Sequence, residues 1–126
     1  MTSIRELAAE PYVSVTTFRR DGTAVATPVW TAPDGEALVI WSAASAGKVK
    51  RIRNNPEVTV RACDARGNAR GEEAAGRAEI LSAEETERVR GLLVGKYGLQ
   101  ARLVILGSRL RRGKAGSVGV RITPAG

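Results

Sequence analysis

A chain of 126 residues, 43% of them hydrophobic, has room for one modest core and the composition of a globular domain. It has no histidine, which excludes a Ser-His-Asp triad, a Cys-His dyad and histidine-ligated metal; its single cysteine, Cys63, excludes an intrachain disulfide and a cysteine zinc site. The formal net charge of +7 points to anionic partners, and no apolar run approaches the roughly 20 residues of a membrane span.

The first residues, Thr2 to Glu10, read as a short helical arm with Ile4, Leu7 and Ala8 at helical spacing. Pro11 ends it. Tyr12 to Phe18 is β-rich, with Val13, Val15 and Thr17 alternating with Ser14, Thr16 and Phe18. Arg20-Asp21-Gly22 reads as a hairpin turn. A second strand is expected over Ala24 to Thr31, one face presenting Val25, Thr27, Val29 and Thr31, the other Ala24, Ala26, Pro28 and Trp30. Proline inside a strand marks a bulge, a bend or an edge. Pro33-Asp34-Gly35 gives the next turn, and a third strand ends at Trp41.

The chain then changes character. Ser42-Ala-Ala-Ser45-Ala-Gly47 is a small-residue loop, and a basic helix follows from about Gly47 to Asn54, with Val49 and Ile52 inward. A helix start leaves unpaired N–H groups and a partial positive charge, which suits a phosphate. Ser45 is the expected N-cap, and Lys48 falls in the first turn. The same pattern also fits a capped, solvated surface helix. The Walker A spacing is absent.

Strand four is expected over Glu57 to Cys63, and strand five over Glu72 to Leu81. Ser82 to Glu85 is a capping box that opens a helix to about Tyr97, and Gly98 suits its C-terminal end. A further helix from about Gln100 to Leu110 carries Leu103, Val104, Leu106 and Leu110. Arg109, Arg111, Arg112 and Lys114 form a basic cluster, either a solvated helix end or a clamp for an anionic tail. Ser117 to Thr123 closes the sheet as strand six.

The turn-linked strands, the Trp41-Ser42 pair, the segment SAASAGKVKRIRNNPEVTV and the ending SVGVRIT resemble the flavin and deazaflavin oxidoreductases of split β-barrel fold, relatives of pyridoxamine 5′-phosphate oxidase. Within them the likeness is to the PPOX-class coenzyme F-420-dependent enzymes, and it runs from about Tyr12 to Thr123. The resemblance implies a mainly β fold: one six-stranded antiparallel split β-barrel domain over residues 1–126, with a helical arm at about 2–10 and a helical insertion at about 83–110. It implies a homodimer with the cofactor in a groove between the two copies. It also implies hydride transfer between reduced deazaflavin and an unsaturated small-molecule substrate.

On this resemblance Ser45, Gly47 and Lys48 hold phosphate, and Arg51 adds electrostatic support. Thr27, Pro28, Val29, Trp30, Trp41 and Ser42 lie beside the ring, the first three as a flat wall. No catalytic side chain stands out. Flavin-using relatives tend to have basic residues at the start and end of strand two and Arg-Lys in the loop. Here those places hold Ala26, Thr31 and Gly47-Lys48, which favours coenzyme F-420 over FMN. A chain so poor in acid–base groups also fits chemistry carried by a cofactor.

Alternatives are an FMN-dependent or biliverdin-reductase-like member, or a non-enzymatic tetrapyrrole or nucleic-acid binder. The five aromatic residues are not interleaved with arginines, so no nucleic-acid partner is expected, and no membrane partner. The polar N-terminus lacks the apolar core of a signal peptide, and a cytoplasmic protein is expected.

Overall fold

The computed structural model describes residues 2–113 and 116–125, less the side chains of Arg109 and Arg112. Helix α1 (Ile4–Leu7) is capped by Ser3, whose hydroxyl accepts from the Glu6 N–H at 3.1 Å, and it buries Ile4 and Leu7. Strands β1 (Val13–Phe18), β2 (Ala24–Val29), β3 (Ala32–Asp34) and β4 (Ala37–Ala43) follow, then helix α2 (Gly47–Asn54). Strands β5 (Glu57–Cys63) and β6 (Ala69–Ile80) precede helices α3 (Ala83–Tyr97) and α4 (Leu99–Arg112), and β7 (Ser117–Pro124) closes the sheet.

All pairings are antiparallel, in the order β2-β1-β5-β6-β7-β4-β3. The two edge strands, β2 and β3, are consecutive in the chain, with only Trp30 and Thr31 between them. The sheet therefore curls until its edges nearly meet, as a split barrel does. Its interior holds Val13, Val15, Leu38, Ile40, Val60, Val120 and Ile122, alternate residues of strands whose other face looks outward. A second cluster, Val39, Leu81, Val89 and Leu93, packs α3 on the outside of β4, with Trp30, Trp41 and Tyr97 against it.

There are seven strands, not the six expected. The seventh is β3, which takes in Pro33 and Asp34 of the turn expected at Pro33-Asp34-Gly35, so that the turn falls at Gly35-Glu36. The second expected strand correspondingly stops short of Thr31. The Thr31 N–H donates to the Tyr97 hydroxyl at 3.1 Å, its carbonyl accepts from Lys96 Nζ at 2.7 Å, and its own hydroxyl donates to the Val39 carbonyl at 3.1 Å. Side chains from the end of α3 take the place of a sheet ladder, and the chain turns there into β3. The fifth expected strand starts earlier than Glu72, because β6 reaches back to Ala69 past a register shift at Arg61/Ala62.

Candidate anion site at the start of α2

Helix α2 begins without a side-chain cap. Ala46, not Ser45, is the N-cap residue, and it has no hydroxyl to offer. Ser45 sits exposed in the turn before it. The expected Ser45 cap fails by one residue, because the Ala46 N–H closes the turn onto the Ala43 carbonyl at 3.1 Å. The Val49 N–H reaches the Ala46 carbonyl at 3.1 Å, so among the described residues the Gly47 and Lys48 N–H groups are the ones left without an intrahelical acceptor or a capping oxygen.

Two cations stand at this end. Lys48, expected on an exposed surface, is half-buried. It has no hydrogen bond or ion pair among the described residues. Burial, and then the nearby Arg51 guanidinium, hold its ammonium below the ordinary 10.5. Arg51, one turn further on, donates from Nε to the Thr17 hydroxyl at 2.6 Å. Its guanidinium lies back over Gly47: a Cβ added there would stand 2.8 Å from Arg51 Nη1. A side chain at position 47 would therefore displace the Arg51 guanidinium, and Gly47 leaves it room to lie over the helix start.

Thr17 was not singled out from the sequence. Its signal was present, since it shares the inward face of β1 with Val13 and Val15, and a buried hydroxyl needs a partner. Nothing local could show that the partner is Arg51. Through Thr17, which pairs with Val25, the cationic cluster adjoins β2.

The ring-side residues do not form one surface. Thr27 and Val29 pair with Val15 and Val13 and share their inward face, whereas Pro28 points outward and is exposed. The flat wall of three is an alternation. Pro28 does sit on an edge strand, as a strand proline should. Trp30 stacks on Tyr97, ring centroids 4.7 Å apart and 13° from parallel. Trp41 packs on the same outer cluster, its indole N–H buried without a partner among the described residues. Ser42 faces the opposite way, is buried, and donates to the Ala43 carbonyl at 3.0 Å. The structure therefore joins Gly47, Lys48, Arg51 and Thr17, and sends the two tryptophans to the α3 side of the sheet.

At the end of α4, Arg111 is exposed. Lys114 and the side chains of Arg109 and Arg112 lie outside the described residues, so the full basic cluster is not assembled here.

A family model described as pyridoxamine 5′-phosphate oxidase matches residues 3–126. The chain belongs to this family. No curated protein sequence matches it. Among solved structures, an F-420 reductase is 24% identical, with a TM-score of 0.64, covering 100% of this chain and 96% of that one. A conserved hypothetical protein from Mycobacterium tuberculosis, Rv2991, is 23% identical with a TM-score of 0.71, covering 100% and 82%. A FAD-binding protein from Mesorhizobium loti is 20% identical with a TM-score of 0.62, covering 95% and 85%. At these identities the likeness establishes the split-barrel fold that the family shares. No helix among the described residues is long and apolar enough to cross a membrane.

Proposed function

We propose that this member of the pyridoxamine 5′-phosphate oxidase family is an oxidoreductase that uses coenzyme F-420. The observation that carries the reading is the half-buried Lys48, without a partner among the described residues, at an uncapped helix start, with Arg51 fixed beside it by Thr17. A desolvated cation without a carboxylate is unfavourable alone and favourable with an anion. The residues fit a phosphate: Lys48 as a point charge, Arg51 as an oriented donor, and the first N–H groups of α2.

Strand β2 offers the ring a place. It is an edge strand paired only with β1, so part of its backbone faces away from the sheet and can meet the hydrogen-bonding rim of a planar heterocycle. Pro28 leaves one N–H out of that edge. The cofactor, when bound, supplies a hydride for an unsaturated small-molecule acceptor. The protein's part is to bind and orient, which agrees with the absence of histidine.

Titration by fluorescence quenching tests the choice of cofactor. F-420 is expected to bind more tightly than FMN, because Ala26 and Thr31 put no charge on β2 or its end. Equal or tighter FMN binding moves the protein to the flavin branch. The same reading includes a second copy of the chain completing the cofactor groove. Sedimentation with cofactor present should give a dimer at tens of micromolar, and a monomer removes the shared-groove arrangement.

A further inference from the structure

We propose that the outer face of α4 docks on an anionic lipid surface. All the large apolar residues exposed among the described residues lie on this one helix: Leu99 at 70%, Leu103 at 62%, Leu106 at 55%, Leu110 at 81%, and Val104. The four leucines follow a 4-3-4 spacing and so form one narrow ridge along the helix. The buried residues of α4, Ala101 and Ile105, are on the opposite side. The ridge is outside the fold, not a misplaced part of its core.

Charge decides what covers it. Helix α4 has four arginines and no acidic residue. Arg102 and Arg111 are both exposed, and by helical spacing they flank the ridge on its two sides. An apolar ridge between arginines is the pattern of a helix lying in a bilayer interface, with leucines in the acyl boundary and guanidinium groups among the phosphates. A second copy fits less well. The Arg102 flank of an antiparallel partner would meet the same flank, placing like charges side by side. The exposed ridge offers on the order of 500 Å², the size of an ordinary monomer's largest patch. A stable dimer buries about 800 Å² a side. No span is needed for such docking, and Arg102, Leu103 and Leu110 belong neither to the α2 anion site nor to the Arg109, Arg111 and Arg112 cluster.

The test is co-sedimentation of the full chain with vesicles of equal parts phosphatidylcholine and phosphatidylglycerol, against phosphatidylcholine alone. Binding should appear on the anionic vesicles, weaken with salt, and fall to background on the neutral ones. Leu103→Gln with Leu110→Gln should lower partitioning at least about tenfold, and Arg102→Gln about fivefold. Arg66→Gln, an exposed arginine on the β5–β6 turn, removes the same charge and should change little. The proposal is overturned by absent binding to anionic vesicles at low salt, or by equal losses from Arg66→Gln and Arg102→Gln. It is also overturned if the double leucine variant alters the sedimentation mass of the protein without lipid, since a second copy then covers the ridge. Should that variant melt early, the wild-type and arginine measurements still decide.

Discussion

Lys48 and Lys50 are two positions apart on one helix and have opposite surroundings. Lys50 is exposed; Lys48 is half-buried beside Arg51. Lys48→Ala should therefore weaken phosphate-bearing ligands by about 10- to 150-fold, the worth of a charge-assisted contact of roughly 1.5–3 kcal/mol. Lys50→Ala, about 200° away around the helix, should leave binding nearly intact. Equal losses would make the effect one of bulk charge. Stability should move the other way. The folded-state pKa of Lys48 is below 10.5, so the folded protein holds this proton less tightly than the unfolded chain does. The charged form opposes folding below that lowered value, and the penalty fades as pH rises toward 10.5. Lys48→Met should thus melt at or above the wild type near neutrality, and their difference should shrink under alkaline conditions. A variant that melts well below the wild type would show that Lys48 supports the fold.

Between elements, α3 packs closely on β7. A Cβ at Gly119 would stand 2.9 Å from Val89 Cγ2 and 3.4 Å from the Thr86 backbone, and the Gly119 N–H donates to the Thr86 hydroxyl at 3.0 Å. Val89 is fully buried and stiff at χ1. Gly119→Ala should destabilise by about 1–3 kcal/mol through overpacking. Gly91→Ala, in the middle of α3 with open space around it, should instead stabilise by about 0.5–1 kcal/mol. Melting curves of the two variants check the contrast, and a neutral Gly119→Ala would mean that α3 can lift from the sheet. Elements of this kind were legible from sequence wherever the signal was local. The Ser82 cap and the α2 boundaries appear as read, the former with Ser82 accepting from the Glu85 N–H at 3.2 Å. What escaped was non-local. Thr31 reads as strand, yet Lys96 Nζ reaches the carbonyls of Ala8, Glu10 and Thr31 at 2.9, 2.5 and 2.7 Å and fixes the joint between β2 and β3. Trp30 and Trp41 reads as ring-side residues by likeness alone, and only the position of α3 shows where they pack. The cation pair at α2 was partly legible, since spacing placed Lys48 in the first turn but could not show its burial.

At the scale of the whole molecule, the barrel brings the backbone at the start of β7 beside the loop that opens α2. Strand β7 starts beside the end of β4, where Ser117 pairs with Ala43 and the Ala44 N–H donates to the Gly116 carbonyl at 2.9 Å. The chain leaving the arginine-rich end of α4 therefore returns next to the loop that opens α2. On the proposed reading, the α4 arginines meet the oligoglutamate tail of a cofactor whose phosphodiester sits at Lys48 and Arg51. Replacing Arg109, Arg111 and Arg112 together by Gln should weaken oligoglutamyl F-420 and leave a tail-less form that keeps the phosphodiester unaffected. It should also flatten the salt dependence of oligoglutamyl F-420 binding, because contacts with an exposed, mobile tail are the ones that salt screens. Lys48→Ala should weaken both ligands alike, since each carries the phosphodiester. Binding isotherms for two ligands and two variants at two salt concentrations separate these roles. If the triple variant weakens the tail-less ligand as much as the oligoglutamyl one, the α4 arginines act on the phosphate or on the fold, and the clamp is withdrawn.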